Sequence, residues 1–156
     1  MIIKDINIKD SDAKEIISKY NIDEDLFLDV QDSNEIARFL GKNDYTEIIL
    51  KYPLKNDVET LGIYLTKNVA YFLHEKDFPF ELDKSLENTT LIIVDAIYKI
   101  TEAYFKSLKT MNTKIKKIKI SSKTHVKNKD LLTLFELQND LDEYIIAIKG
   151  YLQVLI

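Results

Sequence analysis

Carboxylates carry most of the chemical potential in this chain. Asp23, Glu24, Asp25, Asp29 and Asp32 crowd one short stretch. Asp25, Asp29 and Asp32 recur at i, i+4 and i+7, which places them on one face if the segment is helical. Such a face repels itself unless lysines or a divalent cation meet it. A hard cation such as Mg²⁺ takes oxygen ligands and keeps several waters, so a loose carboxylate patch suffices for weak binding. The plainer alternative is a solvated acidic face that complements the positive end of a helix dipole, and the local sequence favours it. His74 and His125 are the only histidines. One ends an apolar run and the other sits in a polar connection, so spacing supports no two-histidine metal or catalytic centre. No Gly-x-Gly-x-x-Gly, Walker loop or Gly-x-Ser-x-Gly occurs, and three glycines leave little for a phosphate cradle. The chain has no cysteine, hence no thiolate nucleophile, disulfide or cysteine-rich zinc site. Glu102, Asp140, Asp142 and Glu143 read as surface residues. The expectation is a protein that is not an enzyme.

Composition bounds the alternatives. With 156 residues, 46% hydrophobic and 31% charged, the chain fits one globular domain with a real core. The first ten residues carry acids and no long apolar stretch, so they do not read as a signal peptide. No window approaches the roughly 18–20 apolar residues that span a bilayer. The net charge of −4 hides a split. Residues 1–60 carry fourteen acids and eight bases, whereas residues 103–129 carry nine lysines and no acid. Arg38 is the sole arginine. Nucleic-acid binding usually draws on arginine forks and aromatic platforms, so a lysine-only run reads as a solvated helix surface and no nucleic-acid partner is expected. Tyr98, Tyr104, Tyr144 and Tyr151 stand at helix spacing and read as packing residues.

The elements that must position these residues can be read from periodicity. Met1–Ile8 alternates like a strand. Ser11 and Asp12, with Glu15 as a capping box, open a helix holding Ala13, Ile16, Ile17 and Tyr20, and Asn21 supplies a left-handed stop. Asp23 caps a second short helix with Leu26, Phe27 and Val30 inward. Ile36–Leu40 is a faint strand signal. Tyr45–Tyr52, ended by Pro53, then Leu61–Leu65 and Val69–His74 form an antiparallel meander joined by tight turns at Lys55-Asn56-Asp57 and Lys67-Asn68. Leu82–Leu86 suggests a short helix. From Thr89 or Thr90 a heptad seam runs through Val94, Ile97, Thr101, Tyr104, Leu108, Met111, Ile115 and Ile118. After a break at Ser121–Lys129 a second seam follows through Leu134, Leu137, Leu141, Tyr144, Ile148, Tyr151 and Leu155. Matching seams predict a long antiparallel helical hairpin, each arm about 40 Å. The second seam is still apolar at its last residues, which predicts that the helix continues in a longer protein.

This order of parts resembles the N-terminal cytoplasmic domain of the CorA family of divalent-cation transporters. Leu26-Phe27-Leu28-Asp29-Val30 is similar to the family's leucine-x-leucine-acid-acid helix. Asp44-Tyr45 with Ile48-Ile49-Leu50-Lys51 is similar to its Asp/Asn-Tyr-x-x-Ile-x-Leu-Lys strand. Leu61-Gly62-Ile63-Tyr64-Leu65-Thr66-Lys67-Asn68 resembles its hairpin, and Phe72-Leu73-His74-Glu75 the strand after it. Val94-Asp95-Ala96-Ile97 through Tyr104-Phe105 resembles the start of its first long helix, and Tyr151-Leu152-Gln153-Val154-Leu155 the end of the second. The family's Gln-Arg-Pro-Lys segment is here Glu35-Ile36-Ala37-Arg38, with only the final base kept. The stalk helix, the transmembrane pair and the Gly-Met-Asn loop are absent, and the first long helix is lysine-rich where the family's hairpin is often acidic.

The resemblance implies an α/β fold, a three-layer α/β/α domain with a mixed, partly antiparallel sheet followed by the helical hairpin. It implies one domain, 1–156, divided into 1–88 (sheet and short helices) and 89–156 (hairpin) and cut before stalk and membrane helices. It also implies a pentamer under the cell membrane, cytoplasmic, with membrane contact only through the missing segment and the fragment itself soluble. Mg²⁺ or Co²⁺ would bind weakly at subunit interfaces, regulating the full-length protein without being needed for folding. Of the family's sensing acids only Asp29 falls on a matching position, and Leu28 stands beside it where the family has a second acid. The alternative is a free-standing interaction or scaffold domain that dimerises through the hairpin.

Overall fold

The structure, a computed structural model, describes residues 2–9, 12–55, 57–83, 85–86, 88–121 and 128–155. Strand β1 (Ile2–Asn7) leads into helix α1 (Ala13–Tyr20) and helix α2 (Glu24–Gln31). Each short helix starts at an aspartate whose carboxylate accepts from a first-turn amide. Asp12 takes the Lys14 N–H at 2.9 Å and Asp23 the Asp25 N–H at 3.0 Å. The expected capping box on Glu15 thus gives way to a cap on Lys14, and Ser11 lies outside the described residues. Asn21 ends α1 in the left-handed region, φ 51°.

Four further strands complete the sheet: β2 (Arg38–Gly41), β3 (Tyr45–Leu54), β4 (Asp57–Thr66) and β5 (Val69–His74). Their order is β1-β5-β4-β3-β2, with β1 parallel to β5 and every other pair antiparallel. The sheet is therefore mixed, and the meander is its centre. Three strand boundaries differ from expectation: the strand expected over Leu61–Leu65 starts four residues earlier, as β4 at Asp57. Ile36–Leu40 becomes a genuine edge strand shifted to Arg38–Gly41, and β3 does not stop at Pro53 but carries it opposite Val58. The edge strand covers only Thr46–Ile49 of β3. Beyond that, one flank of β3 has no ladder for a missing N–H to break.

Alternation along the strands divides the core in two. Ile48, Leu50, Tyr52, Leu61, Ile63, Leu65, Ala70 and Phe72 face the long helices. Ile49, Tyr64, Tyr71 and Leu73 face α1 and α2, where Ile16, Leu26, Phe27 and Val30 cover them. The result is three layers, α/β/α. The long helices are α3 (Thr89–Ser121) and α4 (Asn128–Leu155); Asn88 caps α3 by accepting from the Thr90 N–H at 2.7 Å. The connection at 122–127, with His125, lies outside the described residues. Tyr104 packs edge-on against Tyr144 and Tyr151, while ten residues further along α3 the Lys114 charge acts on Asp140. The arms are antiparallel, as the seams predicted.

The seams themselves are displaced. Val94 and Ile115 are exposed, and the buried face of α3 is Ile92, Ala96, Ile100, Tyr104 and Met111. On α4 it is Leu137, Tyr144, Ala147 and Tyr151, with Leu134, Leu141 and Ile148 partly exposed. The sheet is the main partner of both arms near Tyr104 and Tyr151. A helix lying on a sheet buries positions at its natural 3.6 period rather than the 3.5 of a coiled-coil seam. The described residues of the Leu82–Leu86 stretch are not helical: Asp83 accepts from both the Ser85 N–H, at 2.9 Å, and the Ser85 hydroxyl, at 2.6 Å. Phe78, Phe80, Leu82 and Leu86 nonetheless pack over the α3/α4 core.

Candidate functional site

The acidic stretch lies on α2 and just beyond it, and the fold separates its members. Asp25 is exposed in the first turn. Asp32 is past the end of the helix, at extended dihedrals of φ −84° and ψ 111°. The i+7 position therefore leaves the face that Asp25 and Asp29 share. Asp32 instead accepts the Asn34 N–H at 2.8 Å. Among the described residues no group of three or more histidines and carboxylates is arranged to hold a metal ion.

Asp29 is half-buried and already has a cation. The Arg38 guanidinium forms a salt bridge to Asp29 Oδ2 with one nitrogen and to Glu35 Oε1 with another. Helix α2 presents Asp29 from its last turn, and the first residue of edge strand β2 presents Arg38 across the connection. Burial opposes the Arg38 charge, but the Asp29 and Glu35 carboxylates outweigh it and hold the guanidinium more firmly protonated than usual. A divalent cation reaching Asp29 would compete with this fork. The sequence marked Arg38 as the lone arginine and as the surviving base of its segment, but not as the partner of Asp29.

A second ionic group flanks the first. Lys42 donates to Asp23 Oδ2 at 3.2 Å and to the Tyr45 hydroxyl at 2.6 Å, and that hydroxyl donates to Asp23 at 3.0 Å. Beneath them Glu47 is buried on β3, 3% exposed. Burial pushes its carboxyl above the usual range, and the nearby Asp23 charge adds to the shift. Glu47 is a carboxyl poised toward its neutral form, a feature alternation alone did not reveal.

On the opposite side of the sheet, His74 at the end of β5 is buried and hydrogen-bonded. Its Nε2 lies 2.7 Å from Asp5 Oδ1 and its Nδ1 2.7 Å from the Lys76 carbonyl oxygen. Both partners are acceptors, so the ring with two N–H donors suits them best. A cleft of about 840 Å³ opens between α4 and the α2–β2 connection, walled in part by Glu35, Ala37, Lys51, Glu59 and Gly150. Asp29 does not line it. Lys51 is buried there, donating to the Ser33 carbonyl at 2.9 Å and Thr60 Oγ1 at 2.7 Å. Both acceptors are neutral, and the ammonium is spent on holding the connection against the sheet. Tyr104, Tyr144 and Tyr151 pack as predicted, whereas Tyr98 is exposed and donates to Glu102 at 3.1 Å.

A mixed five-stranded sheet between a short helix pair and a long helical hairpin defines the fold class, and solved structures share it. The soluble domain of CorA from Methanocaldococcus jannaschii superposes with a TM-score of 0.78 at 17% identity, over 92% of this chain and 63% of that one. The complete structure of the CorA magnesium transporter from the same organism also gives 0.78 at 17% identity, over 94% of this chain and 51% of that one. The chain thus has the fold of the CorA soluble domain and spans less than two thirds of either neighbour. No family model matches it, and no curated protein does. Among the described residues no helix is long and apolar enough to cross a membrane.

Proposed function

We propose that this chain is the cytoplasmic regulatory domain of a CorA-like magnesium and cobalt transporter, and that it has no enzymatic role. The observation that carries the reading is the superposition on the CorA soluble domain across nearly the whole chain. The ordered motifs around Leu26–Val30, Asp44–Lys51 and Leu61–Asn68 support it. In this reading divalent cations bind weakly between subunits of a homopentamer, with Asp29 as this chain's contribution. Cation binding there offsets like-charge repulsion and holds one arrangement of subunits, and cation loss releases it. Because Arg38 occupies Asp29, the isolated domain holds at most half a site. Occupation requires the cation, held also by a second carboxylate from a neighbour, to displace the guanidinium.

The test is a Mg²⁺ titration of the full-length protein, following protection from limited proteolysis. Parent protein gains protection with Mg²⁺, and Asp29→Asn shifts the midpoint upward by about tenfold, the usual size of an allosteric coupling. An unshifted midpoint removes Asp29 from the mechanism. A parent gene without two apolar spans after residue 156 removes the transporter reading and favours a free-standing scaffold. The partly exposed stripe Leu134, Leu141, Ile145 and Ile148 on α4 is the feature such a scaffold would use.

A further inference from the structure

Strand β1 is held to the sheet on one side only, by β5, and Ile2, Lys4, Asp5 and Asn7 are exposed along it. Ile6 and Ile8 are buried and anchor its inner end in the α1/α2 core. The outer half has the partly buried Ile3 and one charged contact on each face. On the α1/α2 face the Lys4 ammonium lies 5.1 Å from the Tyr20 ring centroid and 5.6 Å from that of Tyr71. On the hairpin face Asp5 Oδ1 lies 2.7 Å from Nε2 of the buried His74 ring. Histidine ordinarily titrates near neutral pH, so the second contact depends on a proton. The ring is held at its other edge too. Its Nδ1 lies 2.7 Å from the Lys76 carbonyl oxygen, which the Tyr52 hydroxyl also reaches at 3.3 Å. Phe78 stacks on the ring with centroids 5.7 Å apart. Two acceptors call for two N–H donors, and only the charged ring has both.

We propose that His74 is a proton-operated clasp: the charged ring fastens the outer half of β1, Ile2–Asp5, to the sheet, and loss of the proton releases it. A neutral ring has one N–H left to give. The Lys76 carbonyl and Phe78 hold the ring toward the connection that leads to α3, whereas the Asp5 side chain is 55% exposed and can turn to water. The Asp5 contact is therefore the one that lapses. Burial opposes the charged ring, but Asp5, the Lys76 carbonyl and Asp77 more than offset it. The other titratable groups around the ring are Tyr52 from β3, Glu59 from β4, two residues before the Leu61 that pairs with His74, and Glu75 and Lys76 along the chain. Among the described residues only Asp5 meets Nε2. The clasp is thus closed below the folded pKa of the ring and opens as pH rises through it. Opening uncovers the edge of β5 at Val69–Phe72, the residues with which Ile2–Asp5 pair. The proton sets whether the sheet is five or four strands wide along that length. None of this depends on the transporter reading.

Amide hydrogen exchange of the 156-residue chain, read by nuclear magnetic resonance as protection factors between about pH 6 and pH 9, tests it. The His74 ring nitrogens, followed in the same samples, report the proton. Protection at Ile2–Asp5 should fall at least about tenfold across the titration of the ring, while amides of β3 and β4 change far less. Asp5→Asn should lower protection at Ile2–Asp5 at the acid end to the level the parent reaches at the alkaline end, and leave β3 and β4 protected as in the parent. Lys4→Gln, which loosens the other face, should lower protection of the same amides without removing its pH dependence. A ring that does not titrate in this range, or one that titrates without local loss of protection, overturns the clasp. So does a loss shared equally by β3 and β4, or an Asp5→Asn chain that keeps the parent's pH dependence.

Discussion

Asp29 and Arg38 show how one pairing changes the chemistry of a position. A free carboxylate on α2 is open to any cation; a carboxylate bridged to the only arginine is already paired. Removing the arginine should free the carboxylate. Arg38→Ala is expected to raise Mg²⁺ affinity at Asp29 by about tenfold, because the cation no longer displaces a charge-assisted bond. Nuclear magnetic resonance titration of the Asp29 carboxyl carbon measures it, and an unchanged affinity means that Arg38 does not compete. His74 sets a second expectation. Burial alone would lower its pKa, but the Asp5 carboxylate and the Lys76 carbonyl more than offset that and leave it above the ordinary value. A raised folded pKa stabilises the fold fully below the unfolded value of about 6.5 and loses that contribution as pH rises through the folded one. Thermal stability should therefore decline as pH climbs above about 6.5, and Asp5→Asn should flatten the decline. A pH profile identical in the variant would assign the slope to other groups. The sequence exposed neither pairing. Arg38 is nine residues from Asp29 and His74 sixty-nine from Asp5, and only the edge strand and the parallel β1–β5 pair bring them together.

At the scale of elements, close packing at two points ties the layers to the sheet. Helix α2 crosses β4 at Gly62, where an added Cβ would run into Val30 Cγ2 and lie 3.3 Å from Leu26 Cδ1. Gly62→Ala should cost about 1–3 kcal/mol, seen as a lower urea midpoint with unchanged slope, because both neighbours are buried and cannot swing away. On the other face the Tyr104 and Tyr151 hydroxyls both donate to the Lys51 carbonyl, fastening both long helices to β3 at one atom. Either tyrosine alone keeps that oxygen satisfied. Tyr104→Phe and Tyr151→Phe should each cost under about 1 kcal/mol, and the double variant should cost more than their sum, because only then is a buried acceptor left without a partner. Strict additivity in a double-mutant cycle refutes the shared anchor. Much of this layer was legible beforehand. The Asp12 and Asp23 caps, the Asn21 stop, the meander and two long antiparallel arms all follow from local rules. The inward faces of the arms did not, because a heptad pattern assumes a helix as partner. Leu91, Val94, Tyr98 and Phe105 are exposed on α3 because the sheet claims Ile92, Ala96 and Ile100 instead. The non-helical backbone at Asp83 and Ser85 was not legible, because an aspartate–serine pair competes with the backbone for its hydrogen bonds.

At the scale of the molecule, the arms retain more apolar surface than the sheet can cover. Leu141, Ile145 and Ile148 recur along one flank of α4 at spacings of four and three, beside the buried face, and each is 38–40% exposed. The Asp142 carboxylate stands one position on from Leu141 at the border of this flank, whereas Glu143 lies on the cleft side of α4 with Ala147 and Gly150; α3 carries exposed lysines at Lys106 and Lys109. A contact between one copy's α4 flank and another copy's α3 side would bring Asp142 toward these lysines. Because the two surfaces differ, such a contact is head-to-tail, and head-to-tail contacts close into rings when the rotation permits. A paired apolar and electrostatic interface of this kind should assemble more weakly as salt rises, although its apolar part persists. Sedimentation velocity of the chain over a range of concentrations should show reversible self-association, and Ile145→Glu/Ile148→Glu should abolish it without lowering the melting temperature, since neither residue belongs to the buried core. Association that survives this double substitution places the subunit contact elsewhere. If association is instead lost together with the fold, Leu141→Gln, which removes apolar area without adding charge, separates the two effects: it should weaken association several-fold while leaving thermal unfolding intact.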